Sequence, residues 1–285
     1  MGFQTGSLGL TGGADMLLRD LIHERAGLFF DNGKGDILLD KLSPLVVERG
    51  FTSLLDYYYL LKYDETAQDE WLSVMNALSV PETYFWREMD QVRALVEWVV
   101  PRWFGTPGAG PLKIWSAACA TGEEPLTLAM ALDEAGWLGR APIEIRASDA
   151  STAAIEKARR GVYRERSFRN LPAHLREKYF TQEGATNTWR VDAKLHAAVE
   201  WRVANLMNVA EVAPLAAANV IFCRNVFIYF SDETIRKTVR SFAAHIMPPG
   251  YLFVAAAESL LKLSSDFELQ EVGKAFVYVR RPGAG

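Results

Sequence analysis

The sequence predicts an α/β protein: an all-α N-terminal domain, then a Rossmann-like, doubly wound sheet interrupted by a small antiparallel β-insertion. Three observations predict it. Residues 13–78 carry apolar positions at helical spacing and no strand pattern. From Lys113 onward, short apolar runs alternate with helical segments, the mark of a parallel sheet covered by helices. The alternation breaks once, between about residues 162 and 198. The domain bounds that follow are 1–80 for the helical part and 81–285 for the α/β part, with the insertion at about 175–200.

The elements follow in order. Leu17, Leu18, Leu21, Ile22 and Leu28 fall at helical spacing, and Asn32-Gly-Lys-Gly35 is a turn. A second helix runs from Asp36 to Glu48 and is closed by Gly50. Phe51 to Tyr63 is a third, capped by Thr52 or Ser53. Asp69 to Leu78 is a fourth, with Trp71, Leu72, Met75 and Leu78 along one face. Pro81 to Glu88 is a turn of bulky residues, followed by a helix bearing Met89, Val92, Leu95, Val96 and Val99. Pro107-Gly-Ala-Gly-Pro111 punctuates the chain before the first strand. Ile143 to Asp149 is a strand, Ser151 caps the next helix and Gly161 stops it. In the insertion, Leu171 to Phe180 reads as helix, while Trp189 to Asp192 and Leu195 to Val199 read as short antiparallel strands. The sheet resumes with Val199 to Leu206 and with Asn219 to Phe230. Ser231 caps a further helix, Tyr251 to Ala257 is a strand, and a hairpin about Gly273 closes the domain.

Bulk properties exclude several function classes. The chain has 285 residues, 49% of them hydrophobic and 23% charged, enough for one sizeable core and a smaller one. A net charge of −4 offers no basic excess to displace counterions from nucleic acid. Cys119 and Cys223 stand in apolar runs and form no metal or disulfide motif, and the four histidines have no ligand spacing. No window reaches the roughly 18 apolar residues a bilayer span needs. These readings lead us to expect a cytoplasmic, monomeric protein with no metal and no direct membrane insertion. Charge is uneven: residues 1–80 hold six Lys/Arg against twelve Asp/Glu.

The chemistry centres on Lys113-Ile-Trp-Ser-Ala-Ala-Cys-Ala-Thr-Gly122-Glu-Glu-Pro125, a strand, a turn of small residues and a helix start. Small side chains let a ligand approach the backbone, and Gly122 permits dihedrals barred to other residues. Pro125 is tolerated in the first helical turn, where its missing N–H would be unpaired anyway. Acidic Glu123 and Glu124, where a pyrophosphate site offers bare amides, suggest a cationic ligand; an ordinary βα turn is the bland alternative. Four polar positions stand just past strand ends: Glu123, Asp149, Asn205 and the pair Arg224-Asn225. Asp149 suits ribose hydroxyls, as in a nicotinamide site, but also suits a plain helix start before Ser151. Arg224 and Asn225 lie inside the apolar run Phe222-Cys-Arg-Asn-Val, where each must find a partner.

A set of motifs carries a resemblance. Thr83-x-Phe85-x-Arg87-Glu88, Trp115-Ser-Ala-Ala-x-x-Thr-Gly-Glu-Glu-Pro125, Ala147-Ser-Asp149, Glu156-Lys-Ala-Arg-x-Gly-x-Tyr163, Asn205-Leu206 and Phe222-Cys-Arg-Asn-Val-x-Ile-Tyr-Phe230 occur in order. Together they resemble the CheR family of S-adenosylmethionine-dependent methyltransferases, which esterify glutamate side chains of bacterial chemoreceptors. The resemblance covers about residues 15–281 and implies a class I methyltransferase sheet with S-adenosyl-L-methionine as cofactor and S-adenosyl-L-homocysteine as product. It implies that Glu123 holds the methionine amino end, Asp149 the ribose, and Asn205-Leu206 the adenine. Thr83, Arg87, Arg224 and Asn225 would close the pocket around the carboxylate and sulfonium, with Tyr229 beside the transferring methyl. Arg87 and Tyr229 are thereby the implied catalytic residues, and a methyl-accepting chemoreceptor or an analogue the implied partner.

The sequence departs from the family pattern in three places. Pro81 stands where an asparagine is usual, and an alanine of Ala255-Ala-Ala-Glu-Ser259 where a histidine is common. The second helix, Asp40-Lys-Leu-Ser-Pro-Leu-Val-Val-Glu48, lacks the arginines of receptor-docking relatives. An acidic face repels an acidic receptor helix, which points to an atypical acceptor. The loop Gln182-Glu-Gly-Ala-Thr-Asn-Thr188 lies where some relatives add a receptor-tail peptide as a strand. Two rival readings stand beside this one: a cofactor-binding signalling module without turnover, and a small-molecule methyltransferase with an enclosed apolar pocket. A dinucleotide oxidoreductase is disfavoured because Ser116 to Gly122 lacks spaced glycines.

Overall fold

The fold is taken from a computed structural model, which describes residues 13–281 except positions 32, 34 and 81. The expectations for Asn32 and for Pro81 lie outside the described residues. The chain forms two compact units, one running to Val80 and taking in Tyr229–Ser231, the other comprising Pro81–Ile228 and Asp232 onward.

In the first unit, four helices surround one apolar core: α1 (Ala14–Ala26), α2 (Gly35–Glu48), α3 (Leu54–Tyr63) and α4 (Gln68–Leu78). Leu18, Ile22, Leu38, Leu42, Val46, Tyr57, Leu61 and Val74 fill the core. Ser53 is the cap of α3, its hydroxyl accepting from the Leu55 and Asp56 amides. Two details differ from the sequence reading. Gly27 ends α1 in the left-handed region at φ 75°, so Leu28 leaves the helix and bridges to Phe230. In α4 the inward face is Glu70, Val74 and Leu78, while Leu72 is exposed. Glu70 turns inward because its carboxylate accepts from Tyr57 and from Arg49, which satisfies a charge that could not otherwise be buried. Lys41 donates to the Ala77 and Leu78 carbonyls at 3.3 and 3.2 Å, closing the C-terminal end of α4.

The second unit opens with α5 (Met89–Ala94), a π-turn over Leu95–Val99, and α6 (Val100–Phe104). The Val100 N–H reaches back to Leu95, and Pro101 follows with no N–H to give, so the wide turn sits where the regular ladder is already broken. The strand and helix alternation then runs β1 (Leu112–Ala117), α7 (Glu123–Glu134), β2 (Ile143–Asp149) and α8 (Thr152–Arg160). The insertion holds β3 (Val162–Arg164), α9 (Ala173–Tyr179), β4 (Phe180–Gln182), β5 (Thr188–Val191) and α10 (Ala193–Ala197). The main unit resumes with β6 (Val199–Val203), α11 (Val209–Ala216), β7 (Val220–Phe222), α12 (Asp232–His245), β8 (Tyr251–Phe253), β9 (Phe267–Val272) and β10 (Ala275–Arg280).

The main sheet has the order β6-β2-β1-β7-β8-β10-β9. Its first five strands are parallel, and β10 runs antiparallel to both neighbours. The order reverses at β1, between β2 and β7, which is where an open sheet of this kind leaves a crevice beyond its carboxyl ends. The insertion is a separate three-stranded antiparallel sheet, β3-β5-β4.

Three expectations about elements are corrected. Leu195 to Ala197 is helix, not strand, because the Asp192 carboxylate accepts from the Lys194 and Leu195 amides and starts a turn there. The strand expected over Asn219–Phe230 stops at Phe222, and the residues after it leave the ladder for side-chain acceptors described below. The strand expected over Tyr251–Ala257 stops at Phe253, where the Ala255 and Ala256 amides turn to the carboxylates of Glu258 and Glu88. Beyond these, Val209–Ala216 forms a helix capped by Asn208, although Pro214 lies inside it.

Candidate active site

The turn after β1 is built from strained residues. Ala118 and Ala120 have φ of 53° and 49°, and Gly122 has 96°. The strain is held by bonds to the end of β2: the Cys119 N–H donates to the Ser148 carbonyl and the Ala120 N–H to Asp149 Oδ2, both at 2.9 Å. Asp149 Oδ1 accepts from the Ser151 N–H at 2.9 Å. Burial pushes the Asp149 carboxyl above the usual range, and the backbone N–H bonds from Ser151, Ala120 and Ala150 partly oppose that. Asn205 stands beside this corner, since the Ala204 N–H donates to the Asp149 carbonyl at 3.0 Å. Its own Oδ1 accepts from the Met207 N–H, its N–H donates to Glu211, and Leu206 next to it is buried.

The Cβ side of Gly122 is taken by the protein itself. A Cβ there would meet Trp201 Cη2 at 2.8 Å and Ala158 Cβ at 3.0 Å. The left-handed backbone is therefore as the sequence reading expects, but the close approach at this glycine serves packing of β6 and α8.

The two acids that open α7 have different surroundings. Glu123 is 1% exposed, with one oxygen accepting from the Thr121 hydroxyl at 2.6 Å and the other from the Ser167 hydroxyl at 2.9 Å. Glu124 accepts from the Ser116 hydroxyl at 2.7 Å and from Arg224 Nε at 2.7 Å. Arg224 is buried, and its Nη1 also donates to Gln91 Oε1 at 2.9 Å and to the Arg87 and Glu88 carbonyls, each at 3.2 Å. Through Nε and Nη1 the guanidinium ties β7 to α7, to Gln91 in α5 and to the residues before α5.

The 83–88 stretch is fixed from several sides. The Phe85 N–H donates to the Ser167 carbonyl at 2.8 Å, and its ring packs on Tyr163, Phe168 and Phe180. Trp86 and Glu88 both have positive φ, 67° and 49°, and the Trp86 N–H donates to the Thr127 hydroxyl at 3.1 Å. Thr83 is half-buried at the start of this stretch. Arg87 keeps 24% of its side chain exposed, donates to the Glu82 carbonyl at 3.0 Å, and stacks on Tyr84.

Asn225 has φ 60°, and its amide donates to Glu88 Oε1 at 3.2 Å. Tyr229, 36% exposed, belongs by its contacts to the helical unit, where its carbonyl accepts from the Phe29 N–H at 2.8 Å. Thr83, Arg87, Glu123, Asp149, Asn205, Leu206, Arg224 and Asn225 all fall in the sheet unit. Sequence reasoning missed Ser116, Gln91 and Ser167 as partners, and the carboxylates of Glu88, Glu124 and Glu258. The signal available was the burial debt of Arg224, which demands several acceptors. Cys119 and Cys223 are buried and their thiols are pushed well up by desolvation, so neither offers a thiolate nucleophile. Among the described residues no cluster of His, Cys, Asp and Glu could hold a metal ion.

A rim of this kind has acidic groups about a narrow turn: Asp149 desolvated, and Glu123 hydrogen-bonded by the Thr121 and Ser167 hydroxyls. Such a rim suits a cation that also carries hydroxyl groups, and suits a phosphate poorly.

Comparison with known proteins agrees with that chemistry. Residues 81–276 match the family described as CheR methyltransferase, SAM binding domain, and residues 16–79 match CheR methyltransferase, all-alpha domain. Chemotaxis protein methyltransferase 2 of Vibrio cholerae is 35% identical, over 92% of this chain and 91% of its own. Chemotaxis protein methyltransferase 1 of Pseudomonas aeruginosa is 30% identical, over 92% and 96%. Chemotaxis protein methyltransferase of Escherichia coli is 33% identical, over 89% and 86%.

The packing at Gly122 yields a test. Gly122→Ala adds a methyl against Trp201 and leaves a left-handed backbone on a residue that resists it. Unfolding free energy is expected to fall by about 1–3 kcal/mol, read from urea denaturation.

Proposed function

The chain belongs to the CheR methyltransferase family, and from that premise we propose that it esterifies glutamate side chains of a chemoreceptor or a related signalling protein. The chain is an S-adenosylmethionine-dependent methyltransferase of chemotaxis signalling.

The observation that carries it is the state of Arg87. Arg224 Nε and Nη1 are held by protein acceptors, but Arg87 is partly exposed: its Nη1 donates to the Glu82 carbonyl and its Nε lies 3.8 Å from Glu88 Oε1. Arginine presents a planar pair of donors that fits a carboxylate. The acceptor needs no base: a glutamate with a pKa near 4.3 is already ionised at neutral pH. S-Adenosylmethionine supplies, when bound, an electrophilic methyl on a positively charged sulfur. The protein's task is then placement of the carboxylate in line with that methyl, which is worth about 7–11 kcal/mol of a barrier. Arg87 orients one carboxylate oxygen and leaves the other to attack. Asp149 would accept from the ribose hydroxyls and Asn205 and Leu206 would frame the adenine. Thr83, Arg224 and Asn225 would line the pocket around the carboxylate and sulfonium, and Tyr229 is the second catalytic residue that the resemblance implies. Glu123, with both oxygens on hydroxyls, would reach the amino group through one of them.

The acceptor's docking face is read from charge. On α2 the outward residues include Asp36, Ile37, Asp40, Val47 and Glu48, while Lys41 is turned in to the end of α4. A receptor helix with a strongly acidic face fits this poorly. The acceptor is an atypical receptor or another protein of the same signalling class.

Two measurements test the reading. Wild-type protein with tritiated S-adenosylmethionine should label a receptor fraction in a base-labile form that releases methanol. Arg87→Ala should cut that turnover about a hundredfold while cofactor affinity changes little, and Arg87→Lys should restore little of it. Unchanged turnover in Arg87→Ala would remove the assigned role, and binding without any transfer would favour a non-catalytic module.

The raised Asp149 carboxyl sets a pH dependence. The folded protein holds that proton more tightly than the unfolded chain, so the Asp149 contribution to stability is unfavourable at neutral pH and is relieved as pH falls through the raised value. Hydroxyl donors favour the ionised form, so ligand binding should release a proton in that range. Affinity for S-adenosylhomocysteine, by calorimetry, should weaken as pH drops through the upper carboxylate range, and Asp149→Asn should flatten the slope.

A further inference from the structure

We infer that Glu258 is a positioning residue for methyl transfer, acting by holding the Asn225–Ile228 loop that carries the wall of the site. The inference rests on the functional reading above. Glu258 is 9% exposed, yet among the described residues no lysine or arginine forms an ion pair with it. Its carboxylate accepts backbone N–H groups instead. Oε2 takes those of Asn225 and Ala255 at 3.0 and 2.8 Å. Oε1 takes those of Val226 and Phe227 at 2.9 and 2.8 Å, with Ile228 longer at 3.4 Å. The loop that leaves β7 therefore has its amides gathered on one carboxylate, and that carboxylate is carried by the turn after β8.

A second carboxylate closes the same joint. Glu88 accepts from Asn225 Nδ2 with one oxygen and from the Ala256 N–H, at 3.1 Å, with the other. Asn225 is thus pinned at its backbone by Glu258 and at its side chain by Glu88, in a left-handed conformation a free loop would seldom hold. Arg224, one residue earlier, gains its fixed direction from the same joint.

The chemistry requires an ionised acid at 258. A carboxylate has acceptors only, and four short N–H bonds converge on its two oxygens. Glutamine of the same length must turn an NH2 toward one pair of these donors, losing two bonds and setting donor against donor. Aspartate keeps the charge but withdraws it by one methylene. The adenine and ribose ends, at Asn205 and Asp149, hang on other strands and are insulated from the change.

The test compares Glu258→Gln and Glu258→Asp with wild type, measuring kcat, KM for the acceptor, affinity for S-adenosylhomocysteine, and amide exchange by mass spectrometry. Glu258→Gln is expected to lower kcat at least about tenfold with affinity for S-adenosylhomocysteine within about threefold, and to speed exchange at 225–228 but not around Asp149. Glu258→Asp should recover part of the kcat. A kcat within twofold of wild type, or loss of affinity matching the loss of kcat with exchange raised throughout the unit, overturns the assignment. If the variants do not fold, wild-type exchange decides: amides 226 and 227 as fast as those of the exposed 184–186 turn overturn it. Failure of wild type to transfer methyl at all strikes the functional reading, and is a different result from an indifferent Glu258→Gln.

Discussion

A guanidinium buried at the end of β7 sets the terms for everything around it. Arg224 cannot be desolvated without several acceptors, since an uncompensated charge in the interior costs several kcal/mol. The acceptors come from three directions: Glu124 at the start of α7, Gln91 in α5, and the carbonyls of Arg87 and Glu88 before it. Meeting that demand brings those elements together at the end of β7. It also explains why the 83–88 stretch tolerates two left-handed residues. Backbone strain of this order persists where the surroundings over-determine it, and here the carbonyls are aimed at a cation that accepts no substitute.

The division of labour among the carboxylates follows from the same demand. Glu124 neutralises Arg224, Glu88 and Glu258 gather amides, and Glu123 is closed by hydroxyls. Asp149 keeps a raised carboxyl at the rim. Most of the acids near the carboxyl ends of the strands are therefore part of the frame. The frame is rigid because charge-assisted bonds are about twice as strong as neutral ones and are specific in direction.

How much of this the sequence discloses depends on the range of the interaction concerned. The alternation from β1 to β2 and α8 is local, and Ser151, Gly161 and the Gly273 hairpin are read directly from neighbours along the chain. Asp149, Asn205 and Arg224-Asn225 are found because each follows an apolar run. The misreadings are of another kind. Leu195 to Ala197 is apolar enough for a strand, but one capping carboxylate, Asp192, turns it into helix. The strand after Asn219 ends early because Glu258, more than thirty residues on, offers its amides a better acceptor than a neighbouring strand would. Gly122 keeps the left-handed backbone expected of it, but what packs on its Cβ side is Trp201, nearly eighty residues on. In each case the deciding partner is distant in sequence, or one residue outweighs the pattern of its neighbours.

The proposed chemistry explains why so much polar structure serves geometry. Methyl transfer to an ionised carboxylate needs neither a base to create the nucleophile nor an acid to help a sulfonium depart. What remains is orientation, and orientation degrades steeply with small displacements, a misplacement of about 1 Å costing as much as a hundredfold. A site that works by placement gains more from fixing its walls than from adding reactive groups. The buried ion pair of Arg224 with Glu124 and the amides gathered on Glu258 are walls in this sense. Both act on the ends of β1, β7 and β8, the strands beside the reversal point, and both leave Arg87 as a partly exposed guanidinium beside them. On this reading, the polar groups that touch no ligand set the rate as surely as those that do.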